Sequence, residues 1–104
     1  MTSRLETLQQ FFQDDPNDPF NLYALALEWQ RTDPHQSLYF FQELISRHPE
    51  YIPTYYQLGK FYQELNERDK AQKIFKQGIE YAKQKNEMKA LRELQTAFQE
   101  LEFE

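Results

Sequence analysis

The chain repeats itself. Leu25, Ala26 and Trp29 return 33 residues later as Leu58, Gly59 and Tyr62, and the same offset relates Leu8 to Phe41, Pro16 to Pro49 and Leu58 to Leu91. A period shared by so many positions restricts the fold more than composition does. Copies at such an interval each build one supersecondary unit, which covers its apolar face by packing on its neighbours. What one unit consists of follows from the spacing inside it.

Apolar residues recur at helical intervals throughout. Leu5, Leu8, Phe11 and Phe12 form one stripe, and Leu22, Leu25, Ala26 and Trp29 a second. Leu38, Phe41, Leu44 and Ile45 form a third, and Tyr55, Leu58, Gly59 and Tyr62 a fourth. Ala71, Ile74, Phe75, Gly78 and Ile79 make a fifth, and Leu91, Leu94, Phe98 and Leu101 a sixth. No stretch alternates as a half-buried strand does. The stripes predict six helices and no sheet.

The breaks between stripes carry helix-boundary chemistry. Asp18-Pro19 and Asp33-Pro34 pair a capping carboxylate with a proline at the first helical position, where its missing N–H costs nothing. His48 ends the third segment and Ile52-Pro53 opens the fourth. Asn66 is expected to cap, and a further polar break falls around Asn86. The two glycines, Gly59 and Gly78, lie inside helical stripes rather than in these breaks. A glycine there costs about 1 kcal/mol relative to alanine. That cost is offset if two helices cross so closely that a side chain would part them, with Tyr62 and Phe75 packing at the crossing. No glycine-rich turn precedes a helix, so phosphate binding is not expected of either.

Tyr55-x-x-Leu58-Gly59-x-x-Tyr62 followed by Ala71-x-x-x-Phe75 resembles the tetratricopeptide repeat. Leu22-x-x-Leu25-Ala26-x-x-Trp29, then Ser37-x-x-x-Phe41 and Pro49, is similar to a looser copy. Ser37 stands where the pattern has alanine, and Leu44 where it has a small residue. The family's repeat is about 34 residues, so a 33-residue spacing implies one residue missing from the turn at Thr32-Asp33. The resemblance implies a single all-α domain over 1–104, a short right-handed superhelix of about six antiparallel helices. It divides into a half-repeat helix at 1–15, repeats at 19–50 and 52–84, and a capping helix at 86–102.

Bulk properties exclude several functions. The net charge of −5 argues against a nucleic-acid footprint, which needs a clustered basic face. Without cysteine there are no disulfides, thiolate catalysis or zinc-finger chemistry. No apolar run approaches the ~20 residues that cross a bilayer, and the start has no signal-peptide core, so a cytoplasmic protein is expected. His35 and His48 each adjoin a proline at a helix boundary and belong to no ligand-spaced motif. Asp14, Asp15 and Asp18 lack the glycine and distal glutamate of a calcium loop. No nucleophile–base constellation is visible. Neither catalysis nor a cofactor or metal is expected.

The resemblance implies a partner on the inner face lined by the first helix of each pair. That face is expected to present Phe20, Tyr23, Leu27, Gln30 and Arg31 from the second helix, and Tyr56, Lys60, Gln63 and Glu64 from the fourth. Lys89, Glu93 and Thr96 would come from the sixth. Tyr23 and Tyr56 are again 33 apart, and beside Lys60 and Lys89 they suit a peptide with an apolar or aromatic anchor and some acidity. The family's chaperone-binding members clamp a C-terminal carboxylate with lysines, asparagines and an arginine; here Tyr23, Leu27, Tyr56, Lys60 and Lys89 stand there, and that ligand is not expected. The alternative is assembly with a second copy, a homodimer through Leu91, Leu94, Phe98 and Leu101, with Phe103 beyond them.

Overall fold

A computed structural model describes residues 3–104. Six α-helices account for most of these residues: α1 (Arg4–Asp14), α2 (Pro19–Trp29), α3 (Pro34–Arg47), α4 (Pro53–Glu64), α5 (Arg68–Gln84) and α6 (Met88–Glu102). Among the described residues there is no strand. Residues 1 and 2, which the expected half-repeat helix included, lie outside the described part.

The proline starts occur as the sequence predicts. The Asp18 carboxylate accepts from the Phe20 N–H at 2.9 Å and that of Asp33 from the Gln36 N–H at 3.3 Å, each ahead of a proline in the first turn. Ser3 caps α1 in the same way, accepting from the Glu6 N–H at 3.1 Å.

Asn66 and Asn86 play a different part from an N-terminal cap. Both adopt the left-handed conformation, with φ of 60° and 57°. The Glu67 N–H reaches back to the Tyr62 carbonyl and the Asn66 N–H to Gln63; Glu87 to Ala82 and Asn86 to Lys83 repeat the pattern. These are paired helix-terminating bonds of the kind usually built on glycine, which asparagine supplies at moderate strain. Asn86→Ala is expected to lower stability by about 1 kcal/mol and Asn86→Gly to leave it equal or higher. Urea denaturation checks this, and an Ala variant as stable as wild type counts against it.

The turn after α2 has no left-handed residue. There the Gln30 N–H bonds to Leu27 rather than to Ala26, and the Thr32 and Asp33 N–H groups both reach the Trp29 carbonyl. This tight winding is where the first copy is one residue shorter. It also explains Ser37: fully buried, its hydroxyl donates at 2.6 Å to the Ala26 carbonyl that the tightened turn gives up. A buried carbonyl left without a donor costs about 1–3 kcal/mol, and serine in the alanine position prevents that.

The helices group into two compact units that divide between Tyr51 and Ile52. In the first, α2 packs on α1 and α3, with Leu22, Leu25, Ala26, Phe40, Phe41 and Leu44 buried. The stripe expected on α1 is covered only in part: no residue of α1 is fully buried and Phe11 is 51% exposed. Phe12 instead sets its ring edge-on to Phe40, with centroids 5.7 Å apart.

In the second unit α4, α5 and α6 all pack on one another. Gly59 and Gly78 are buried there, and both belong to helix crossings as predicted. What they meet is side chain rather than backbone. A Cβ on Gly59 would fall against the Phe75 ring, 2.6 Å from Cδ1 and 2.7 Å from Cζ. A Cβ on Gly78 would press on Tyr55 Cβ and lie 2.9 Å from its Cγ and 3.1 Å from Leu94 Cδ1. Tyr62, expected beside the glycines, is not among these closest neighbours. Tyr55 is further held by stacking on Tyr81, 5.5 Å between centroids at 22°.

Candidate functional site

In the second unit, α4 and α6 leave a shallow groove of about 280 Å³ between them. Its lining is Tyr56 from α4 and Arg92, Glu93, Thr96, Ala97 and Glu100 from α6. The apolar stripe of α6 turns toward the other helices: Leu91, Leu94, Ala97 and Leu101 are buried. Positions 93, 96 and 100 therefore fall on the open side, where they are exposed. Tyr56 is half-buried, so its ring forms a wall with one accessible side.

Of the expected inner-face residues, Tyr56, Glu93 and Thr96 come together here. Lys60 and Lys89, on which the acidic-partner expectation leaned, do not line the groove, nor does Gln63. The Gln63 amide donates instead to the Glu104 carboxylate of the same chain. Arg68 adds hydrogen bonds to the carbonyls of Glu102 at 3.2 Å and Glu104 at 3.5 Å, so the last residues are fastened to the start of α5. Arg92 and Glu100 belong to the lining and were missed. The signal for Glu100 was available: Glu93, Thr96 and Glu100 follow i, i+3, i+7 on the side opposite the leucines.

In the first unit, Phe20 and Arg31 are exposed, while Tyr23, Leu27 and Gln30 are half-buried. Tyr23 packs edge-on against Tyr51, centroids 5.6 Å apart at 64°. Burial, then the neighbouring Tyr23 and Asp18, pushes the Tyr51 hydroxyl above its ordinary 10.0. A second cleft, about 390 Å³, lies among α1, α2 and α3. Phe12, Leu25, Trp29 and Phe40 give it apolar walls, and Gln9, Gln13 and Gln36 complete its lining. The sequence placed Phe12 and Trp29 in stripes without indicating that a gap remained between them.

The seam proposed for self-pairing is largely covered within the chain. Leu91, Leu94 and Leu101 are buried, and half-buried Phe98 lies under Lys76, whose ammonium is 5.5 Å from the ring centroid. Phe103, 90% exposed, is the apolar residue left outside.

The acidic residues at the first break have structural roles. Asp18 caps α2, and Asp14 accepts from the Gln10 amide at 2.9 Å. His48 is the C-terminal cap of α3 and its N–H returns to Leu44. Among the described residues, no helix is long and apolar enough to cross a membrane.

Comparison with known proteins agrees with this geometry. The sequence model of one family, described as tetratricopeptide repeat, matches residues 28–94, more than half of the chain. The crystal structure of a tetratricopeptide repeat domain protein from Salinibacter ruber is 43% identical, covers 82% of this chain and 97% of that one, and superposes with a TM-score of 0.75. A solution structure of such a domain protein from the same organism is 44% identical over 85% of this chain and 90% of that one, with a TM-score of 0.80. A solution structure of a Bordetella parapertussis protein shares the fold at 19% identity, covering 97% of this chain and 89% of that one, with a TM-score of 0.81. No curated protein matches the chain significantly.

Proposed function

The chain belongs to the tetratricopeptide repeat family, and from that premise we propose that it is a protein-interaction adaptor acting without catalysis. The family's fold mediates protein–protein contact in general. Here the proposal is that a peptide or protein segment lies on the open face of the first helix of each pair. The observation that carries it is the α4/α6 groove, where a half-buried tyrosine, a threonine and three charged groups border one concavity. Aromatic contact area at low rotamer cost, ringed by polar groups, is the usual anatomy of an interaction hot spot.

In the first unit the proposal extends to Phe20, Tyr23, Leu27, Gln30 and Arg31 of α2. In the second it includes Lys60, Gln63 and Lys89 as flanking positions beside Tyr56. A cytoplasmic location is part of the same reading. Pairing through Leu91, Leu94 and Leu101 is less favoured, because those side chains are already buried inside the chain.

The test is affinity capture with the immobilised chain, comparing wild type with Tyr56→Ala and Thr96→Arg. Thr96 is exposed, so arginine fills the groove without entering the core. Recovery of specifically retained proteins is expected to drop at least tenfold in Thr96→Arg, with helical circular dichroism unchanged. Equal recovery by all three forms would remove the groove from the proposal.

A further inference from the structure

We infer that the α4/α6 groove takes a segment carrying two cationic side chains about three residues apart with an apolar or aromatic residue between them. This rests on the adaptor reading and narrows it by reversing the ligand charge that Lys60 and Lys89 predict.

The direction of the two helices comes first. Tyr56 shares the groove with Arg92 to Ala97, and Gln63, two turns further along α4, is bonded to Glu104 beyond the end of α6. The helices therefore run the same way and their C-terminal ends lie together. The carbonyls there are largely answered within the chain, those of Phe61, Tyr62 and Gln63 by the N–H groups of Leu65, Glu67 and Asn66 and that of Glu102 by Arg68, so the negative charge at this end comes from side chains. Glu64 on α4 and Glu100, Glu102 and Glu104 on or after α6 stand at this end, all exposed. The guanidinium that answers them, Arg68, is engaged with two carbonyls.

The lining points the same way. It holds two carboxylates, Glu93 and Glu100, and one cation, Arg92. Among the described residues neither glutamate is in an ion pair. Seven residues of helix separate them by about 10 Å along the axis. Three residues of a polyproline-type segment, one full turn of it, span about 9 Å and bring i and i+3 to the same side, so cations at those positions reach both. Between the glutamates lie Thr96 and buried Ala97, with the Tyr56 ring opposite; a groove of about 280 Å³ holds one large apolar side chain there. Opposite charges at an open groove act mainly on encounter rate and on the choice of partner.

The test is an NMR titration of the isotope-labelled full chain with two blocked peptides, acetyl-GKLFKG-amide and acetyl-GELFEG-amide. The lysine peptide is expected to shift the amide signals of Tyr56, Thr96 and Ala97 saturably, to bind at least tenfold more tightly than the glutamate peptide, and to weaken as salt is raised. Glu93→Lys/Glu100→Lys, both exposed positions, is expected to reverse the preference while the spectrum keeps its dispersion. Tighter binding of the glutamate peptide to wild type at the same amides overturns the cation inference and leaves the groove reading in place. No shift with either peptide, or shifts confined to residues outside the groove, overturns both.

Discussion

Gly78→Ala is expected to destabilise the protein by about 3 kcal/mol, although the same change in an open helix would stabilise it by about 1 kcal/mol. The added methyl would meet Tyr55 at Cβ and Cγ and Leu94 at Cδ1, so it pushes on α4 and α6 at once. Tyr55 Cβ is one bond from the backbone, and no rotation about a side-chain bond moves it away. Relief requires α5 to move bodily, and Tyr55, almost fully buried and stacked on Tyr81, resists that. Forced overpacking costs about 1–3 kcal/mol and more where nothing yields. Urea unfolding of the full chain measures it: the midpoint is expected to fall with the slope unchanged. A midpoint that rises, as propensity alone dictates, would show that the crossing has slack. Tyr55→Phe cannot rescue the variant, because the obstructing carbons are common to both residues.

Both glycines were legible as packing residues because the reasoning was local and energetic: good helix formers on either side made glycine a cost that only a crossing offsets. The Asp-Pro starts were legible for a similar reason, since cap and first-turn residue are adjacent in sequence. Asn66 and Asn86 were readable as breaks but not as left-handed terminators. The side chain alone does not say which of two helices an asparagine serves; the hydrogen bonds from Glu67 to Tyr62 and from Glu87 to Ala82 decide it. Longer-range facts were out of reach. Glu104 engages Gln63 from 41 residues away, a contact that nothing in the local pattern of α4 signals. Lys60 and Lys89 each share a helix face with a lining residue, Tyr56 and Glu93, one turn away. Which turn borders the groove depends on how the two helices are offset along their axes, and periodicity does not set that offset. Phe11 shows the remaining gap: periodicity marks an apolar stripe, but how much of it another element covers depends on what packs there.

The other large effect centres on Phe75, and it carries a prediction about Gly59 with it. Phe75 is fully buried on α5, and its ring edge occupies the space that a side chain at position 59 would take. Phe75→Ala is expected to cost about 4 kcal/mol, the transfer of the ring plus the cavity it leaves. Phe75→Leu keeps most of the volume and is expected to cost about 1–2 kcal/mol. Gly59→Ala alone meets the far end of the ring rather than its root, so it is expected to cost about 2 kcal/mol, less than Gly78→Ala. In the Phe75→Leu background the obstructing Cζ and Cε1 carbons are gone or displaced. There Gly59→Ala should be neutral, or stabilising by up to about 1 kcal/mol through helix propensity. The double-mutant cycle then gives a coupling of about 2 kcal/mol, within the range found for side chains in direct contact. Additive losses would mean that the glycine answers to something other than this ring. An unfavourable coupling would mean that leucine, with its branch at Cγ, crowds position 59 more than a flat ring edge does.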